Sequence, residues 1–163
     1  MMEKDYLSPF AMVNKDICDG ADERQVVNHI TKYVTQTLNL TGCFIKLLTG
    51  SSQYEEYPSQ KSLRLGDNTF KFKCSEQYKL ELLSSYGLSQ GFLYSRSANQ
   101  PTSIFNCLPD ENIYFTDITD LDQEDEDFAL MKAEGLKALF MFPVDMYHEN
   151  VGTVALFDSK NGS

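Results

Sequence analysis

Four cysteines, two histidines and a dense run of carboxylates are the side chains of this 163-residue chain suited to redox, nucleophilic or metal chemistry. Cys18, Cys43, Cys74 and Cys107 stand 25, 31 and 33 residues apart. No Cys-x-x-Cys pair occurs, which excludes a zinc ribbon and a thioredoxin-type dithiol. A nucleophilic cysteine or serine needs a base beside it. His29 falls on a helical stretch and His148 in a turn, and neither has ligand or base spacing around it. Haem ligation and a thiol–imidazole pair are therefore not indicated. Between Asp117 and Asp127 stand seven acids and no base. A calcium loop is excluded there, because Asp120-Leu121-Asp122-Gln123-Glu124 lacks the required glycine and Met131 stands where a bidentate Glu belongs. The acids suit the start of a helix, whose dipole favours negative charge.

The charge balance narrows the function classes. The net charge is −10, yet without the acid run 17 acids face 14 bases, so the remaining surface is nearly neutral. No basic stripe is present to neutralise phosphates, which argues against nucleic-acid binding. Hydrophobic residues at 42% and aromatics at 12% describe a globular domain able to bury a core. Met1 to Tyr6 lacks the basic start and apolar run of a signal peptide. The longest clean apolar run, Ala138 to Phe142, is far short of a membrane span. These features predict a cytoplasmic protein with no membrane insertion and four reduced thiols.

Periodicity then supplies the elements that position these residues. Residues 1–21 are read as an arm or lead-in helix, 22–158 as one domain and 159–163 as a tail. Asp22 with Gln25 makes a capping box. Behind it Val26, Val27, Ile30, Tyr33, Val34 and Leu38 predict an amphipathic helix from Glu23 to Leu38. Strands are predicted at Cys43–Thr49, Ser62–Leu65 and Thr69–Cys74, where Phe70, Phe72 and Cys74 alternate with lysines. Glu76 to Tyr86 satisfies strand and helix equally. A short helix, Phe92–Ser97, ends before Gln100-Pro101. A strand from Ile113 to Ile118 then runs into a helix from about Glu124 to Glu134, capped by Gly135. Strands Lys137–Tyr147 and Val151–Asp158 close the chain around a tight turn at His148-Glu149-Asn150.

The order Gly87-Leu88-Ser89-Gln90-Gly91, Asn99-Gln100-Pro101, Asp117-Ile118, acidic helix to Gly135, Pro143-Val144 and Val151-Gly152 resembles the second half of a GAF domain. That family comprises sensory and regulatory modules. The resemblance covers about Asp22 to Asp158 and implies an α+β (α/β) fold, a five- or six-stranded antiparallel sheet flanked by helices. It also implies a non-catalytic module, of the kind found in bacterial signal transduction, that binds a small ligand or relays a conformational signal. One departure is that only Ser159 to Ser163 follow the last strand, where relatives carry a returning helix. The chain is then either without that helix or a fragment cut from a larger protein with an output domain.

The family's specialised chemistries find little support. A bilin would need a cysteine followed by His, and Cys107 precedes Leu108. Asp125-Glu126-Asp127-Phe128 matches only the composition of the cyclic-nucleotide motif. The alternative readings are a free methionine sulfoxide reductase using Cys74 and Cys107, whose compact glycine-and-cysteine motif is missing, and a ligand-free dimerisation module. The implied pocket lies between the sheet and elements near Phe92–Phe105 and Asp117–Met131. Phe72, Leu93, Tyr94, Ile104, Tyr114, Phe128, Phe140 and Phe142 are expected to line it, with Asp117 as polar anchor. The ligand is an unidentified small molecule and the cofactor is unknown. The resemblance further implies a homodimer through the helix Glu23 to Leu38.

Overall fold

The computed structural model describes residues 23–49, 59–65, 68–74, 79–100, 103–115, 117, 126–146 and 148–159. The lead-in 1–21, the Asp22 cap and most of the acid run lie outside these residues, as does Cys18.

Helix α1, Glu23–Thr37, is followed by β1, Gly42–Thr49, and the hairpin β2, Ser59–Leu65, and β3, Asn68–Cys74. Then come β4, Lys79–Tyr86, the single turn α2, Gln90–Leu93, and a 3-10 turn, Ile104–Asn106. β5, Leu108–Pro109, and β6, Ile113–Phe115, precede α3, Glu126–Glu134. The closing hairpin is β7, Ala138–Met146, and β8, Glu149–Asp158. Five strands form one sheet in the order β4-β1-β8-β7-β6, and β2-β3-β5 form a second. All their pairings are antiparallel. The predicted antiparallel architecture thus holds, and the strand predicted at Thr69–Cys74 falls in the small second sheet.

Several boundaries move for physical reasons. Within the ambiguous stretch Glu76–Tyr86, Lys79–Tyr86 is a strand because it pairs with β1, from Cys43↔Tyr86 to Thr49↔Lys79. The helix expected over Phe92–Ser97 is only Gln90–Leu93, capped at Ser89, whose hydroxyl oxygen accepts from Phe92 N at 3.1 Å. α3 stops as predicted at Gly135, whose φ of 78° is the left-handed conformation that glycine adopts without strain.

A register shift at Ile45/Lys46 in the β1–β4 ladder sets which side chains share a face. Ile45 opposes Ser84, whereas Lys46 opposes Leu82, so the bulge returns Leu82 to the inner face beside Phe44 and Lys46. On the outer face α1 packs on β4 and β1 through small polar residues. Ser84 Oγ lies 2.9 Å from Thr31 Oγ1 and donates to Asn28 Oδ1 at 2.6 Å, and Thr35 donates to Cys43 Sγ at 3.2 Å. Such short side chains let the helix approach the sheet closely. The inner face carries the apolar core. Phe44, Phe92, Phe105 and Phe157 touch one another there, with ring centroids 5.4–6.2 Å apart. Tilted and edge-on contacts of that length suit aromatic quadrupoles.

Candidate functional site

The segment Ser103–Asp110 crosses the inner face as a strap, tied to four different elements. The carboxylate of Asp127, at the start of α3, takes both of its first donors. Ser103 Oγ donates to one oxygen at 2.7 Å and the Ile104 amide to the other at 3.0 Å. Ser103 Oγ in turn accepts from the Phe105 amide at 3.2 Å, so one buried carboxylate caps the whole 3-10 turn. From β1, Lys46 Nζ donates to the Phe105 carbonyl at 2.8 Å and lies 4.9 Å from the Phe44 ring centroid. Downstream, Phe72↔Pro109 and Lys73↔Leu108 pair the strap with β3. The Asp110 amide donates to the Lys71 carbonyl at 3.0 Å, and Asn150 Nδ2, on β8, donates to the Pro109 carbonyl at 3.0 Å.

The far end of α3 repeats the capping arrangement. Glu134 accepts from the Ser89 amide and hydroxyl, each at 2.6 Å, and Ser89 caps α2. Two carboxylates of one short helix thus fix the starts of the two elements that cover the inner face. Displacement of α3 would therefore be felt at both.

Lys46 is the unusual group here, a lysine only 3% exposed on an apolar face. Burial lowers its pKa to about 8. Among the described residues it makes one hydrogen bond, to a backbone carbonyl, and an ammonium can donate three. Cys43 is a buried free thiol whose pKa burial raises, which makes it a poor nucleophile. Among the described residues no group of three His, Cys, Asp or Glu is placed to hold a metal.

The structure gathers four of the nine expected pocket residues. Phe72, Leu93, Ile104 and Phe128 are buried in the inner cluster. Tyr94 follows α2 and is 65% exposed, and Asp117 is partly buried just past β6. Tyr114, Phe140 and Phe142 lie elsewhere. Strand alternation sends Ile113, Leu139 and Met141 inward, so these three aromatics project from the outer face. They form a strip of their own, with Tyr114 stacked on Phe140 at 6.5 Å and Phe140 edge-on to Phe142 at 5.5 Å. A single pocket does not collect all nine.

Lys46 and Asp127 are not among the pocket residues that the sequence singles out. Lys46 stands two residues from Phe44 on the same strand, a spacing that marks it for the same face, whereas Asp127 is one acid among many. The expectation of four reduced thiols also needs correction, because Cys107 is disulfide-bonded.

No protein-family model matches the chain, and no curated protein does. Solved structures do match it. A domain assigned to a two-component sensor histidine kinase from Sinorhizobium meliloti superposes with a TM-score of 0.58 and 15% identity, over 86% of this chain and 77% of that one. The GAF domain of a phosphoenolpyruvate-protein phosphotransferase from Coxiella burnetii gives 0.54 and 9%, over 96% and 79%. The NreA protein from Staphylococcus aureus, mutated in its nitrate binding site, gives 0.53 and 8%, over 85% and 87%. The fold of this chain is GAF-like. Among the described residues no helix is long and apolar enough to cross a membrane.

Proposed function

We propose that this chain is a non-catalytic sensory module that binds a small molecule on the inner face of its main sheet and relays occupancy through the strap. The observation that carries this reading is the strap itself. Ser103–Asp110 is held by Asp127 of α3, by Lys46 of β1 and by β3, so a ligand touching any of them shifts a part shared by all. A ligand signals only if it favours one of two arrangements, and the replaceable hydrogen bonds of the strap to Asp127 and Lys46 offer two. The fold likeness to a sensor-kinase domain and to a protein with a nitrate binding site supports a ligand-reading role. Phe72, Leu93, Ile104 and Phe128 supply apolar walls, and Lys46 supplies a donor for an acceptor group on the ligand.

A methionine sulfoxide reductase is the second reading. It requires a reactive thiol pair, and the disulfide at Cys107 is the observation that keeps it in play. We further infer a homodimer through α1. Asn28 and Gln36 turn one flank of the helix toward β4, by bonds to Ser84 and the Tyr86 hydroxyl. The opposite flank leaves Ile30 37% and Leu38 56% exposed. The cytoplasmic compartment also remains our proposal, and there a disulfide would be redox-sensing rather than permanent.

Thermal denaturation across a panel of small anions, amino acids and nucleotides tests the module. A ligand that binds the folded state raises the midpoint in proportion to its saturation. Turnover of free methionine sulfoxide by the wild type, lost in Cys107→Ser, would replace this reading by the enzymatic one.

A further inference from the structure

Cys107 sits in the middle of the strap, between the 3-10 turn and β5, and is 1% exposed. It is disulfide-bonded, and Cys43 is a free thiol, which leaves Cys18 and Cys74 as the available partners in a chain of four cysteines. The ladder between β3 and β5 chooses between them. Phe72 pairs with Pro109 and Lys73 with Leu108, and antiparallel pairing advances one strand as it retreats on the other. Carried one position beyond β5, to Cys107 with its extended backbone at the end of the 3-10 turn, the same register would set Cys74 across from Cys107. Residues opposed in an antiparallel pair have Cα atoms about 4.5–5.5 Å apart. That falls within the roughly 4.4–6.8 Å that a disulfide spans.

We propose that Cys107 is bridged to Cys74 and that this bond is a redox-reversible latch locking the strap onto the small sheet. The mechanical case rests on β5. It has two residues and two paired positions on β3, too few to hold a strand in place unaided. The covalent tie makes that attachment permanent while oxidised. Release is thiol–disulfide exchange with a dithiol reductant. One thiolate of the reductant attacks a sulfur of the bridge, the S–S bond breaks, and a mixed disulfide forms. The reductant's second thiol then displaces the remaining cysteine sulfur. Both cysteines end as thiols, each with one added proton, and the two electrons come from the reductant, which leaves as a disulfide. Re-formation runs the same steps backwards with a disulfide of that class as oxidant. Because Cys107 is enclosed, attack waits for local opening of the strap, so release reports on how firmly the inner face is closed. The latch needs no ligand and stands apart from the ligand-binding proposal.

The test is non-reducing digestion and mass spectrometry of the full chain, paired with hydrogen exchange before and after reduction by a phosphine. The wild type and Cys18→Ser should both yield one cross-linked peptide pair containing positions 74 and 107, and Cys74→Ser should lack it. Reduction should raise exchange in 103–110 and 68–74 by an order of magnitude or more while α1 is unchanged, and glutathione disulfide should restore protection. A cross-link that disappears in Cys18→Ser overturns the pairing. Exchange that is unmoved by reduction, or protection that does not return on oxidation, overturns the latch. Should Cys74→Ser fail to fold, the cross-linked peptide of the wild type decides the pairing alone.

Discussion

The ammonium of Lys46 donates to the carbonyl of Phe105 over 2.8 Å, joining the main sheet to a turn 59 residues further along the chain. This is the one side-chain bond from β1 to the strap found among the described residues, and it holds a charge in the core at the cost of its hydration. Its partner is a dipole, which compensates a buried charge only in part. The contact therefore fixes the position of the strap more than it stabilises the fold.

That arrangement predicts an alkaline gain in stability. The folded pKa of Lys46 is lowered from 10.5 to about 8, so between these values the unfolded chain binds the proton and the folded chain does not. Stability then rises with pH through this window, and the cost of burial is at its full value below pH 8. The gain relative to Lys46→Met should reach no more than about 3 kcal/mol. Urea denaturation of both proteins from pH 7 to 10.5 measures it, with parallel curves as the contrary result.

Asp127→Ala should be among the most damaging changes on the inner face. It leaves the Ser103 hydroxyl and the Ile104 amide without their acceptor in a buried place. The expected loss is about 3 kcal/mol, and Asp127→Asn, which keeps one acceptor, should lose about 1–2 kcal/mol. Equilibrium unfolding with an unchanged denaturant slope reports both, provided the strap is the only part disturbed.

How much of this was legible follows from where each signal resides. The closing hairpin could be read because Leu139, Met141, Ala155 and Phe157 alternate with residues of the other face, and Gly135 because a helix end needs its positive φ. β4 could not, since Leu80, Leu82 and Leu83 fit two periods until pairing with β1 decides. β5 is two residues long, too short to carry any period. The outward turn of Tyr114, Phe140 and Phe142 follows from alternation but was masked by their aromatic character, which suits a pocket and an exposed strip alike. The capping roles of Asp127 and Glu134 depend on residues 24 and 45 positions away, beyond any local pattern.

Two glycines with nearly the same backbone should respond differently to alanine. Gly135 has φ 78° with nothing within 4 Å of an added Cβ, so only conformational strain opposes the change, about 1 kcal/mol. Gly87 has φ 81°, but its Cβ would come 2.2 Å from the Thr41 carbonyl oxygen. Gly87→Ala must displace the Thr41–Gly42 backbone and should cost about 3 kcal/mol or more. Thermal midpoints of the two variants, side by side, check the ranking.

Self-association should depend on the exposed flank of α1. Ile30→Glu is expected to turn a dimer into a monomer in sedimentation equilibrium. Lys32→Glu, on the flank toward β4, should leave the dimer intact. Equal effects of the two, or a wild type that is monomeric at high concentration, would remove α1 as the interface.

Hydrogen exchange with a compound that raises the thermal midpoint decides whether a small ligand is read on the inner face through the strap. Protection should concentrate in 103–110, the start of α3 and β1 around Lys46, and should weaken in Lys46→Met. Protection confined to α1 and the outer strip of Tyr114, Phe140 and Phe142, with the strap unchanged, would rule out ligand reading through the strap.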